Sequence, residues 1–473
     1  MNEKLLQEID KAIVESRTEL AQTTIDLVNI KSVKSTPLPG APFGEGPRAV
    51  LDAVLKLGEE NGFACTDYGV GVISLATQAG QPDVGVWLHG DVVPEGDGWL
   101  YEPYNAVEYK GCIIGRGATD NKGQLAAIFL LMRIFKRLGI QLHYNLGLYV
   151  GSDEEFGMGD MIGVPGNDDA KGFLNMCTPP HISLVPDGGF PVGYGGKGGL
   201  TIVLKSKKPL SGWSFQAGLP DSPGRATAEL PNTAVTALPD CTVTQGDITT
   251  VTCETPPRHG AHPDPNGNMI TKLSAALLDA DLVPEEDRAL LSFYKTVSKD
   301  TAGEFLGIAA QCDVMSPLTV FAQRITQCDG YSYLRLNVRY PITTTFEAIV
   351  EQIAKIGDQY GFTVDSVTRG VDPYLMDIND PIIALLQEAS NEVIGNNAAP
   401  FTMGGGTYAH RLPRAFVFGT NGNLPPEDFP KGHGEAHGID EAVSLDRLQR
   451  AMHIYARALL KLNDFVDENP FSA

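Results

Sequence analysis

The chain has 473 residues, 42% hydrophobic and 20% charged, a composition typical of folded proteins and unlike that of disordered or fibrous ones. Its 36 Lys and Arg against 58 Asp and Glu leave a formal charge of −22, and no basic block offsets it. Nucleic acid and anionic membrane are therefore excluded as main partners, and at about 100–200 residues per domain the length allows two to four domains.

The opening segment, MNEKLLQEIDKAIVESRTEL, places Ile9, Ile13 and Leu20 near helical spacing and predicts an amphipathic helix; it lacks the apolar core of a signal peptide. STPLPGAPFGEGP, residues 35–47, reads as a loop. A helix over 48–61 follows, then strands over 70–76 and 84–88, a helix over 125–139, and strands over 144–150 and 181–185. Strands alternating with helices imply an α/β sheet covered on both faces.

From about Leu200 the texture changes: the strand TIVLKSK, a long Pro-punctuated stretch to about Arg258, helices over 269–282 and 285–299, the strand YSYLRLNVRY and the helix FEAIVEQIAKIGDQYG. After Asp372-Pro373 the first pattern resumes, with a helix over 381–394, a strand over 415–418 and a helix over 444–462. The expected architecture is a discontinuous α/β domain, a central mixed sheet flanked by helices over 1–199 and 374–473, interrupted by an inserted α+β unit over 200–373. No apolar run reaches the ~18 residues of a membrane span. Cys65, Cys112, Cys177, Cys241, Cys253, Cys312 and Cys328 are odd in number and form no CxxC pair. They predict unpaired thiols in a reducing compartment, hence a cytoplasmic protein.

Carboxylates and histidines gather at the predicted strand ends. VGVWL runs into His89-Gly90-Asp91, whose i, i+2 spacing puts both side chains on one face and lets Asp91 hold the second ring nitrogen of His89. Asp120 lies in GRGATDNKG directly before a helix, an arrangement that suits an approach to two cations and equally an ordinary N-cap. Strand YNLGLYV ends in Gly151-Ser152-Asp153-Glu154-Glu155, where successive carboxylates repel unless cations or solvent intervene. Asp187 follows strand HISLV, and His437 stands in GEAHGIDE. Imidazole and carboxylate donors suit Zn, Mn or Co rather than a thiolate-selective site. GYGGKGG, residues 193–199, lacks the spacing of a phosphate loop and reads as a hinge.

In order and spacing, His89-Gly90-Asp91-Val92-Val93-Pro94, GRGATDNKG, Ser152-Asp153-Glu154-Glu155 and Ala436-His437…Asp440-Glu441 resemble the di-metal exopeptidases of the aminoacylase and carboxypeptidase G clan. Asp187-Gly188-Gly189-Phe190-Pro191, Gly195-Gly196-Lys197-Gly198 and Gly404-Gly405-Gly406-Thr407-Tyr408-Ala409 look similar to its dipeptidase V branch. The resemblance implies two divalent ions, Zn first and Mn or Co as alternatives. One would be held by His89, Asp187 and Asp120, the other by Glu155, His437 and the second Asp120 oxygen, about 3.5–4 Å apart as in two-metal sites. It implies Glu154 as general base toward a bridging water, and a cis peptide between Asp120 and Asn121. The inserted unit would be a lid carrying His262 toward the oxyanion. Arg339 would grip the substrate carboxylate, assisted by backbone N–H groups of Gly405, Gly406 and Thr407. Without the resemblance, His262 reads as a loop histidine and Arg339 as an exposed strand arginine.

Two departures from the family pattern bear on substrate grip: Ala228 stands where relatives carry asparagine, and His410 precedes Arg411 where a basic residue is expected. His143, His181, His259 and His453 read as structural, and His433 as part of its loop, with a substrate contact as the alternative. The implied activity is metal-dependent hydrolysis of dipeptides at the N-terminal residue. An N-acyl amino acid deacylase and a non-catalytic peptide-binding homologue are the alternatives. The resemblance to the dipeptidase V branch, in which an enlarged lid takes the place of a partner subunit, implies for this long inserted segment a monomer that completes its own site on a small peptide.

Overall fold

Val84–His89 is buried at every position, with Gly85, Trp87 and His89 covered as fully as Val84, Val86 and Leu88, which marks an interior strand. The computed structural model in which it lies describes residues 3–164, 171–219, 222–231, 233–255, 267–420 and 425–471. The chain divides into two compact units. The first comprises Met1–Gly195, Met376–Phe401 and Thr407–Ala473, the second Gly196–Leu375 and Thr402–Gly406.

In the first unit a mixed sheet runs Ala64–Asp67, Val72–Ala76, Leu146–Gly151, Val84–His89, Ile182–Val185, Ala415–Val417. The last four strands are mutually parallel and the first two antiparallel. Its core takes Leu125, Ile128, Phe129 and Met132 from helix Gly123–Arg137, and Met452, Tyr455 and Leu459 from helix Leu445–Glu468. This is the α/β architecture that the alternating pattern anticipates. The predicted first helix is two, Glu3–Glu15 and Arg17–Val28. They break at Ser16, whose Oγ donates to the Ile13 carbonyl at 2.8 Å; Ile9, Ile13 and Leu20 are all fully buried. No helix among the described residues is long and apolar enough to cross a membrane.

The second unit is an eight-stranded antiparallel sheet in the order Thr242–Thr244, Ile248–Glu254, Ser222–Pro231, Ser214–Leu219, Thr319–Cys328, Tyr331–Tyr340, Gly198–Ser206, Phe362–Arg369. Helices Met269–Asp279, Arg288–Lys299 and Phe346–Gln359 cover one face. The Pro-punctuated stretch, in which no element is predicted, holds four of these strands. Ala228, flagged as a departure at a substrate-facing position, lies in this core opposite Phe215 and Val251.

The expectation of seven unpaired thiols is corrected here. Cys241 and Cys253 form a disulfide, with their Cα atoms 4.6 Å apart. Pairing of Thr242 with Thr252 continues one step to bring the two cysteines opposite each other. Cross-strand neighbours twelve residues apart leave no CxxC signature to read.

Candidate metal centre

Three neighbouring parallel strands of the first unit end together. His89 is the last residue of Val84–His89, Glu154 and Glu155 follow Leu146–Gly151, and Asp187 follows Ile182–Val185. Polar groups collect at such carboxyl ends because the loops leaving them are free to carry chemistry. Asp120 joins them from Ala118–Lys122, the turn that enters helix Gly123–Arg137, with the Asp120-Asn121 peptide cis as expected. His437 comes from the loop before strand Ala442–Ser444 and has φ 60°, a left-handed conformation uncommon outside glycine. Asp440 steadies that loop, its Oδ1 accepting the N–H groups of Leu100 and Tyr101 at 2.8 and 3.0 Å.

Asp120 lies between the two histidines. Its Oδ1 is 3.0 Å from His89 Nε2 and its Oδ2 is 3.0 Å from His437 Nε2. His437 Nε2 also lies 3.0 Å from Glu155 Oε1. Donor atoms of His89, Asp120 and Asp187 fall within 4.8 Å of one another, and so do those of Asp120, Glu155 and His437. Two three-residue donor sets thus share one carboxylate. The second nitrogen of His89, Nδ1, faces the Asp91 carbonyl at 3.0 Å and its carboxylate at 3.6 Å. That contact fixes the ring so that Nε2 points into the site.

The charges explain why such a group of donors calls for cations. Burial pushes Asp187 up to about 7, aided by the charge of Asp120, while His89 and His437 oppose the rise. Burial likewise holds Glu154 well above the usual carboxylate range, with Asp187 adding to it, and raises Glu155. Burial works against the charged form of both histidines. Asp120 and Asp91 nevertheless hold His89 well above its usual value, and Glu155 with Asp120 carries His437 to about 12. Carboxylates packed this closely are stabilised by positive charge among them. Imidazole with carboxylate is the donor chemistry of Zn, Mn and Co, so the residues fit divalent ions.

Glu154 belongs to neither donor set, and its Oε1 is buried without a hydrogen-bond partner among the described residues. Asp91 holds the loop beneath it: Oδ1 accepts the Glu154 N–H at 3.2 Å and Oδ2 the Glu155 N–H at 3.1 Å. A carboxylate to which the sequence pattern assigns no role, Glu441, does the same for Asp120. Its Oε1 accepts the N–H groups of Thr119 and Asp120 at 2.8 and 2.9 Å, and its Oε2 that of Gly117 at 2.9 Å and the buried Arg116 guanidinium at 2.8 Å.

The remaining expected residues fall elsewhere. His262 lies outside the described residues, as does His259. Arg339 and the Gly405-Gly406 pair belong to the second unit, where Arg339 stands opposite Gly199 and Thr319. Lys197, part of the predicted hinge and of a branch motif but given no role of its own, is buried there and donates to the Pro317 carbonyl at 2.7 Å. Burial, with the charge of Arg339 acting in the same direction, lowers its pKa to about 8, so that unit concentrates two cationic side chains. In the first unit the Thr407 hydroxyl accepts the Ala409 N–H at 3.2 Å, and the Thr407 N–H donates to His410 Nδ1, closing the turn Tyr408–His410. His433 pairs with Asp440, His453 with Asp10 and His143 with Asp467, while His181 stacks on Phe471.

Paired donor sets sharing a carboxylate, at the carboxyl ends of parallel strands and beside a carboxyl group free to take a proton, define the class of binuclear metal-dependent hydrolases. The chain belongs to the peptidase family M20/M25/M40, whose model matches residues 86–461. It is similar to a protein of Bacillus subtilis (strain 168) named "Putative dipeptidase YtjP", with 27% identity over 95% of this chain and 98% of that one. Among solved structures it is similar to human carnosine dipeptidase 1, with a TM-score of 0.58 and 16% identity over 97% of this chain and all of the other. It is also similar to the di-peptidase Dug1p of Saccharomyces cerevisiae, with a TM-score of 0.59 and 14% identity over 97% and 98%. These two likenesses establish a common fold.

Proposed function

We propose that the protein is a metal-dependent dipeptidase that releases the N-terminal residue of short peptides. The observation that carries the proposal is Asp120, one carboxylate with each oxygen 3.0 Å from a different histidine, completing two donor sets at once. His89, Asp187 and Asp120 would hold one divalent ion, and Glu155, His437 and Asp120 the other, with Zn as the first choice over Mn or Co. Bound there, such ions supply Lewis acidity toward the scissile carbonyl and make water acidic enough to attack near neutral pH. Glu154 takes the proton of the attacking water and hands it to the departing amine. A carboxylate with a buried oxygen that has no hydrogen-bond partner among the described residues suits this task, because it yields no competing hydrogen bond when it accepts the proton. Asp91 keeps His89 in the tautomer that offers Nε2 and holds the Glu154 backbone.

Within the same proposal, His262 stabilises the oxyanion, and Arg339 with Gly405, Gly406 and Thr407 receives the substrate carboxylate; Lys197 adds a second positive charge beside Arg339. The dipeptidase V branch, a working monomer and a cytoplasmic setting complete it.

The test is dipeptide hydrolysis before and after chelation, with Zn, Mn or Co restored, in the wild type and in Glu154→Gln. We expect activity to vanish with chelator and to return with metal, and Glu154→Gln to lose about 10²–10⁴-fold in kcat. Activity indifferent to chelator and unchanged in Glu154→Gln would sink the proposal. A faster rate on the N-acetylated dipeptide would move it to a deacylase. Activity recovered on mixing His262→Ala with Glu154→Gln would replace the monomer by a site shared between subunits.

A further inference from the structure

The loop that carries Glu154 and Glu155 presents four consecutive backbone N–H groups, residues 152 to 155, and every one is bound by a buried carboxylate. Asp91 accepts the last two. The first two belong to Asp160, whose Oδ2 accepts the Ser152 N–H at 2.8 Å and the Asp153 N–H at 3.2 Å. Asp160 is fully buried and lies outside both donor sets. The same Oδ2 receives the Tyr408 hydroxyl at 2.5 Å. Tyr408 is itself buried, with its ring edge-on to Trp87 at 6.2 Å, on the strand that ends in His89.

Several neighbouring contacts make this a closed device. The Asp153 carboxylate accepts the Gly159 N–H at 2.9 Å, and the Asp153 carbonyl accepts the Met158 N–H at 2.7 Å, so the chain folds back at once to deliver Asp160. Lys34 holds the other Asp153 oxygen at 2.6 Å. Gly151 leaves the room: a Cβ there would collide with the Tyr408 hydroxyl and with Asp160 Oδ2. Removing the Asp160 carboxylate would leave two buried N–H groups unpaired immediately before the base and a ligand, and the loop would shift to recover partners. Displacement of a reacting group by about 1 Å is enough to cost on the order of 10²-fold in rate.

We propose that Asp160, tied to Tyr408, is a positioning residue for this peptidase: it fixes the 152–155 backbone so that Glu154 meets the attacking water and Glu155 meets its ion. The proposal rests on the roles of Glu154 and Glu155 given above. Asp160 acts through the loop and touches neither substrate nor ion.

The experiment compares wild type, Asp160→Ala, Asp160→Asn, Tyr408→Phe and Glu154→Gln. Each is checked for folding by circular dichroism, assayed for kcat and KM on a dipeptide, and titrated with Zn against a chromogenic chelator. We expect Asp160→Ala to lower kcat by on the order of 10²-fold with KM within about threefold, and to weaken Zn binding by about 10–100-fold. Asp160→Asn should recover most of both, since an amide oxygen can accept the same two N–H groups. Wild-type kcat and Zn affinity in a folded Asp160→Ala overturn the proposal, and so does an Asp160→Asn as impaired as the alanine variant. Should Asp160→Ala not fold, Tyr408→Phe decides: a kcat lowered about 3–10-fold at unchanged KM upholds the positioning role, and an unchanged kcat overturns it. Full activity in Glu154→Gln would instead overturn the reading of the site itself, whatever Asp160 does.

Discussion

Buried carboxylates in the first unit divide into those that face the donor sets and those that hold backbone, and the two kinds respond differently to protonation. Asp160 belongs to the second kind. Burial pushes its pKa up to about 7, the Tyr408 hydrogen bond opposes this, and Asp91 and Asp153 add to it. A carboxyl raised above its ordinary value of 3.8 stabilises the fold fully below that value and loses its contribution as pH rises from there through about 7. Asparagine does not titrate. The stability of Asp160→Asn relative to wild type should therefore rise between about pH 4 and pH 7, by up to a few kcal/mol, at about 1.4 kcal/mol for each tenfold difference in proton affinity between the folded and unfolded chain. Urea unfolding at several pH values measures it. A flat difference would mean that Asp160 titrates alike in the folded and unfolded chain.

At the scale of elements, strand ends decide where the chemistry sits, and Gly151 shows how little room they leave. Gly151→Ala would drive its methyl into Tyr408 and Asp160 at the end of an interior strand. We expect a loss of about 1–3 kcal/mol, as for overpacking in a filled core, together with a fall in kcat. Wild-type stability and kcat in Gly151→Ala would contradict this packing. His89, Asp120, Glu155, Asp187 and His437 are picked out in the sequence by the order and spacing of the family motifs. His89, Glu155 and Asp187 also follow apolar runs, whereas Asp120 by itself reads equally as an N-cap and His437 has no apolar run before it. Asp160 is not picked out, because its role depends on a chain reversal that no local pattern encodes. The strand Ser222–Pro231 is hidden for another reason. Its buried face carries Ala226 and Ala228 between Arg225, Thr227 and Glu229, so the period of two is present with scarcely any hydrophobic contrast. A register shift between Ala322 and Arg324 likewise breaks the alternation of Thr319–Cys328.

At the scale of the whole molecule, the two units have separate cores, and the two donor sets lie entirely within the first. Their members span positions 89 to 437, so ions bound there tie together stretches of the first unit that the inserted segment separates. Binding to the folded state alone stabilises it by RT ln(1 + [L]/Kd), about 4 kcal/mol at a thousandfold excess over Kd. The three tryptophans divide between the units, Trp87 and Trp99 in the first and Trp213 in the second. In Trp213→Phe, fluorescence reports the first unit; in Trp87→Phe with Trp99→Phe, it reports the second. Chelation should lower the melting temperature of the first unit by roughly 5–15 °C and leave that of the second within a degree or two. Glu155→Gln should reproduce part of the first shift without chelator. No shift in either unit would deny the donor sets their ions, and equal shifts in both would mean that the two cores unfold as one cooperative body.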